Sequence, residues 1–121
     1  MSSRKIDDCI QEMQDKYIQF KARMTDAGID FIITCTKRTQ EEQEELYAQG
    51  RTKPGKIVTW TLKSKHIEGR AFDIAILKNG KITWDTADYQ QAGEIGESAG
   101  LQWGGRWKSP DYPHFQLQEE G

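Results

Sequence analysis

Residues 64–84 read SKHIEGRAFDIAILKNGKITW, and the fold turns on this stretch. Gly69–Leu77 reads as a strand, and from Ala71 onward it is apolar and partly β-branched, which is the composition of a buried strand. Asn79-Gly80 then separates it from Lys81–Trp84, a second short strand, as the two-residue turn of a hairpin. One residue interrupts the apolar run. Asp73 is a carboxylate inside a strand, and burying it is costly unless it is paired or binds a metal. Its same-face neighbours Ala71 and Ala75 are small, whereas Phe72, Ile74 and Ile76 point to the other face. The strand therefore has a core side and a side with room for a site.

Working outward, residues 4–27 carry Ile6, Ile10, Met13, Tyr17, Phe20 and Met24 at alternating steps of four and three, one apolar stripe at helical period. Gly28 is placed to end that helix. Ile29–Thr36 reads as a strand with Phe31, Ile33 and Cys35 on one face. Thr39-Gln-Glu-Glu42 has the form of a capping box opening a short helix to about Gln49, closed by Gly50. Arg51–Lys65 is a long polar loop with Pro54-Gly55 and room for a short strand at Ile57–Trp60. Thr86–Gly100 is a helix on Tyr89, Ala92, Ile95 and Ala99, weakened by Gly93 and Gly96. WGGRW at 103–107 is a turn, and a last strand lies around His114–Leu117. No repeat or linker divides the chain. The expectation is a small single α+β domain over residues 1–121, with helices packed on an antiparallel sheet and no separate second domain.

The 121 residues suit one domain, and 17 basic against 19 acidic residues leave a net charge of −2 with no Lys/Arg cluster. That balance argues against nucleic-acid binding. No apolar run reaches the ~18 residues of a membrane span, and the N-terminus has no apolar secretory segment. Cys9 and Cys35 are read as free thiols, Trp84 as a core residue, and Glu68 as solvent-facing. Synthesis in the cytosol and a monomer are expected.

The chain's two histidines stand in polar, punctuated contexts. His66 precedes Asp73 by seven positions, and His114 follows Pro113 near the C-terminal strand. Two histidines and an aspartate are the three ligands a catalytic zinc uses when it keeps its fourth position open for water. Asp111, three residues before His114, can reach that position as general base. The same residues also read as satisfied histidines beside a strand-end aspartate, or as the facial triad of a non-haem iron oxygenase.

Ser64-Lys-His66-Ile-Glu-Gly69-Arg-Ala71-Phe-Asp73 resembles the SxHxxGxAxD signature of the M15 zinc peptidases, and Asp111-Tyr-Pro-His114 is similar to their [ED]xxH element. Thr36-Lys-Arg38-Thr39, Gln43 through Gly50-Arg51, and Trp103-Gly-Gly-Arg-Trp107 resemble the L-alanyl-D-glutamate endopeptidases of phages and bacteria in that group. The likeness spans roughly residues 34–117. It implies a hedgehog/DD-peptidase type of fold, zinc on His66, Asp73 and His114, and Asp111 as general base and acid, one methylene shorter than the glutamate of many members. It implies Arg38 at the developing oxyanion, although a surface ion pair with a glutamate is an equal reading of that residue. Ser64 and Gln43 are implied near the substrate, with Trp103 and Trp107 lining the cleft. The implied substrate is the stem peptide of peptidoglycan, cut at L-Ala–D-Glu, with D-Ala–D-Ala carboxypeptidase activity or non-catalytic wall binding as alternatives. The setting implied is a phage endolysin released to the wall by a holin.

Overall fold

The computed structural model describes residues 3–59 and 64–118. It is a small α+β domain of three α-helices and one antiparallel sheet. The first helix is shorter than its apolar stripe. Ile6–Asp8 form a single 3₁₀ turn, the chain extends at Cys9 and Ile10, and α1 runs Gln11–Asp26. The break has a cause in the tertiary structure: Ile10 N–H leaves the helix register to donate to the carbonyl of Gly69. The stripe still faces inward, with Met13, Phe20 and Met24 buried and Ile6, Ile10 and Tyr17 packed at its edge.

Strand β1 (Asp30–Cys35) leads to α2 (Gln40–Ala48). Thr39 caps α2 with the full reciprocal box: its hydroxyl accepts from Glu42 N–H while the Glu42 carboxylate accepts from Thr39 N–H. Residues 57–59 carry no strand, and Trp60 lies outside the described residues. Strands β2 (Ala71–Lys78) and β3 (Lys81–Thr83) form the hairpin, with Asn79 at φ 53 and Gly80 at φ 78, both left-handed as a tight two-residue turn requires. Helix α3 (Thr86–Ser98) follows, capped by the Asp85 carboxylate. Then come β4 (Leu101–Trp103) and β5 (His114–Leu117). β4 was not anticipated; three residues beside a glycine-rich turn give too little alternation to read.

β1 borders one edge of β2 along residues 73–77. The other edge of β2 is shared, β5 pairing at 71–73 and β3 at 76–78, and β4 adds outside β5. Side-chain alternation then sorts the sheet into two faces. Phe72, Ile74 and Ile76 of β2 join Phe115 and Leu117 of β5 beneath α1 and α3. Phe20, Phe72 and Phe115 meet at centroid distances of 4.9–5.4 Å in the middle of that core. The opposite face carries Asp73 directly across from His114, with Gln116 across from Ala71.

Gly93 and Gly96 do not weaken α3; they let it approach the sheet. A Cβ on Gly93 would lie 2.1 Å from the Trp103 indole, and one on Gly96 would lie 2.4 Å from the Phe115 ring. Gly93→Ala is therefore expected to destabilise the fold by about 3 kcal/mol, the upper part of the overpacking range, despite alanine's better helix propensity. Urea unfolding of the variant checks this, and a more stable protein would contradict the packing. Trp84, expected in the core, is instead 64% exposed. β3 ends at Thr83, whose carbonyl is taken by the Tyr89 hydroxyl, and Trp84 lies outside, stacked on the Tyr89 ring.

Candidate metal and active site

The second face of the sheet forms the floor of a cavity of about 680 Å³, with Arg38, Ser64, Trp107 and Asp111 around its walls. His66 comes from a turn rather than a strand. That turn is closed by Ile67 N–H to Ser64 O, Gly69 N–H to His66 O and Arg70 N–H to Lys65 O. The Ser64 hydroxyl also accepts from His66 N–H. The His66 carbonyl accepts from Arg38 N–H as well, which ties the end of β1 to the motif turn.

Three donor atoms converge on the floor. His66 Nε2 is 3.2 Å from Asp73 Oδ1, and His114 Nδ1 is 3.0 Å from the same oxygen. The two imidazoles meet edge to face, 5.1 Å between centroids. Each ring's other nitrogen is engaged elsewhere. His66 Nδ1 lies 2.6 Å from the carbonyl oxygen of Thr36, which can only accept, so this nitrogen carries the proton. His114 Nε2 lies 2.9 Å from Gln116 Oε1.

Electrostatics agree with a demand for positive charge at the centre. Burial opposes a charge on His66, but hydrogen bonds to Asp73 and Cys35 outweigh it and hold the imidazole up to about 10. Burial likewise works against an ionised Asp73, yet the two histidines hold its carboxyl well below the usual range. In effect the His66 proton occupies a space where nitrogen, nitrogen and carboxylate oxygen face one another. A dication replaces such protons, and two imidazoles with one carboxylate are a donor set suited to zinc. The chain fits the metal its sequence implied.

Asp111 sits on the cavity wall, its Oδ2 3.9 Å from His114 Nδ1. Gly104 builds this corner: its carbonyl accepts from both Trp107 N–H and Asp111 N–H, and a Cβ there would lie 2.6 Å from the Asp111 carbonyl. Burial and the nearby Asp73 raise the Asp111 carboxyl above its ordinary value. Arg38 also lines the cavity. Its Nη1 donates to Gln43 Oε1 at 2.7 Å and its Nη2 approaches Cys35 Sγ at 3.3 Å.

The remaining expectations divide. Trp107 lines the cavity, its ring 5.1 Å from that of His114. Gln43 does not: it is fully buried behind Arg38, with its amide nitrogen on the Thr59 hydroxyl. Trp103 is corrected from cleft to core. It is 1% exposed, packed over Gly93, with its indole N–H donating to the Tyr112 carbonyl at 2.8 Å. Glu68 is exposed beside Lys65 and Arg70. Cys9 and Cys35 are free, as expected, but Cys35 is also a site neighbour, 3.6 Å from His66 Nδ1, with its sulfur within 4.8 Å of a donor atom of His66 and of Asp73. Sequence reasoning missed Gln116, although its position two after His114 on a strand was a usable signal for the same face.

Residues 58–117 match the M15 family model described as D-alanyl-D-alanine carboxypeptidase. The chain is 42% identical over 110 residues to the peptidoglycan L-alanyl-D-glutamate endopeptidase CwlK of Bacillus subtilis, across 80% of this chain and 66% of CwlK. It is 29% identical over 98 residues to the L-alanyl-D-glutamate peptidase of Listeria phage A118, across 78% of this chain and 32% of that protein. The chain thus spans just under two thirds of one relative and about a third of the other. In structure it is similar to the L-Ala D-Glu endopeptidase ChiX of Serratia marcescens, with a TM-score of 0.78 at 23% identity over 98% of this chain and 89% of that one. It is also similar to a mutant of the vancomycin-resistance D,D-pentapeptidase VanY solved with Zn(II), with a TM-score of 0.66 at 17% identity over 90% and 72% of the two chains.

Proposed function

The chain belongs to the M15 peptidase family, and from that premise we propose that it is a zinc-dependent endopeptidase cutting the L-Ala–D-Glu amide of the peptidoglycan stem. The observation that carries this reading is the meeting of His66 Nε2, His114 Nδ1 and Asp73 Oδ1 on the floor of a cavity walled by Asp111 and Arg38. Those three residues would hold the zinc, which when bound supplies Lewis acidity and a water with a pKa near ~7.

The other tasks fall to the chain's own side chains. Asp111 takes up a proton on its carboxylate as water attacks the scissile carbonyl, and gives it to the departing amine. Burial and the charge of Asp73 raise its carboxyl above the ordinary aspartate value, the direction that favours taking up a proton. Arg38, braced by the buried Gln43, presents guanidinium N–H groups to the carbonyl oxygen as negative charge builds there. Ser64 steadies His66 through its backbone N–H, and Trp107 packs its ring against His114 at the cavity wall.

The choice of bond follows the names of CwlK and the phage A118 enzyme. The family description favours a second reading, release of terminal D-Ala. An acidic residue in place on the cavity wall weighs against a wall-binding module. We also propose that it acts as a monomeric endolysin on the host wall, reached with the help of a holin; the phage setting rests on likeness to the A118 peptidase.

Mass spectrometry of purified peptidoglycan after incubation with the zinc-loaded protein tests the proposal. New amino termini on D-Glu are expected. Loss of terminal D-Ala alone would establish the carboxypeptidase, and zinc binding with no stem bond cut would make the protein a binding module.

A further inference from the structure

Gln116 and Gln102 belong to no step of the reaction just described, yet they sit behind one of its ligands. Gln116 is 8% exposed, which is unusual for an amide side chain, and all its polar atoms are engaged. Its Oε1 lies 2.9 Å from His114 Nε2, and its Nε2 donates to Gln102 Oε1 at 3.2 Å. Strand pairing enforces the arrangement. His114 and Gln116 alternate onto the site face of β5, and Gln102 of β4 is the direct cross-strand partner of Gln116.

An imidazole can face a metal with a nitrogen only if that nitrogen has lost its proton, so the proton must reside on the other one. The geometry points to Gln116, oriented by Gln102, as the positioning residue that keeps the His114 proton on Nε2 and leaves Nδ1 as the lone pair facing Asp73. The two histidines are thereby held in opposite tautomers by two different devices. The Thr36 carbonyl fixes His66 with the proton on Nδ1, and an amide relay fixes His114 with the proton on Nε2. A backbone carbonyl cannot turn over, whereas an amide can. If Gln116 rotated, its NH₂ would face His114 Nε2 and favour the proton on Nδ1, against Asp73. The acceptor on Gln102 opposes that rotation by holding the Gln116 NH₂ on the far side. Partners behind a ligand also raise its basicity, and their loss weakens metal binding by roughly 10–100-fold.

The inference rests on the zinc reading of this site, so the experiment measures metal directly. Zinc dissociation constants would be determined by chelator competition for the wild type, Gln116→Met, Gln116→Glu and Gln102→Leu. Met fills the same volume without an acceptor, while Glu keeps one. Expected are a loss of roughly 10–100-fold for Q116M, near-wild-type affinity for Q116E, and a smaller loss for Q102L. Nitrogen-15 NMR of the zinc-loaded protein supplies the signature that packing alone would not move. A slowly exchanging His114 Nε2–H should be seen in the wild type and Q116E and should be lost in Q116M. Wild-type affinity in Q116M, or equal losses in Q116M and Q116E, would overturn the relay. Should Q116M fail to fold, Q102L decides: an unchanged zinc constant together with an unchanged Nε2–H signal overturns it. A wild type that binds no zinc overturns the metal reading and this inference with it.

Discussion

Asp111→Asn is expected to keep its zinc and lose turnover on peptidoglycan by roughly 10²–10⁴-fold, the contribution of a positioned proton-transfer group. The substitution is nearly isosteric, and its backbone anchors, Asp111 N–H to Gly104 O and His114 N–H to Asp111 O, are untouched. Metal content by mass spectrometry and turnover on purified peptidoglycan are the paired measurements. Full activity with zinc retained would remove Asp111 from the mechanism. The pH profile offers a second check. Burial and the charge of Asp73 raise the Asp111 carboxyl, so it protonates at a higher pH than an ordinary aspartate. As the acting base it must be ionised, and activity should therefore fall on acidification through that raised pKa. The residual activity of Asp111→Asn should lack this acid limb.

His66→Ala is expected to lose metal and activity together. Removing a direct ligand should weaken zinc by more than the roughly 100-fold upper range for a residue behind one, and turnover should fall with zinc occupancy. The same change leaves the Thr36 carbonyl without its imidazole donor and leaves Asp73 with His114 as its remaining histidine partner. A buried acceptor left unpaired costs about 1–3 kcal/mol, so the metal-free variant should also unfold at lower urea. Zinc titration by calorimetry separates this result from that for Asp111→Asn. If His66→Ala binds zinc as tightly as the wild type, the ligand assignment is wrong whatever happens to activity.

Both predictions use residues that a reader of the sequence can find. Asp73 stood out because an apolar strand does not tolerate a carboxylate without a reason, and the alternation of Ala71, Asp73 and Ala75 against Phe72 and Ile74 showed which face held it. The N-terminal stripe, the Thr39 capping box and the Asn79-Gly80 hairpin were equally legible, since each is a repeat or signal contained within a few turns or residues. Failures came where a residue's role is set by what crosses it. Gly93 and Gly96 look like weak helix formers until Trp103 and Phe115 are seen lying against them. Trp84 looks like core until β3 stops one residue short of it. Gln43 belongs to the site through Arg38, which it braces from behind, and through the cavity-lining Thr59.

The sequence by itself determined most of the element types, the two-faced character of the central strand, and two histidines and two aspartates as the candidates for metal and proton chemistry. Those follow from periodicity and from the cost of burying charge, which act over short stretches of chain. The tertiary structure decided which nitrogen of each histidine faces the centre, because that depends on an acceptor behind the ring. For His66 the acceptor is a carbonyl of Thr36, which directly follows β1, and for His114 it is an amide two residues along β5, itself held by β4. The Thr36 carbonyl reaches His66 from 30 residues away, which no local pattern records; the two-residue spacing puts Gln116 on the face of His114, but only pairing with β4 sets Gln102 against it.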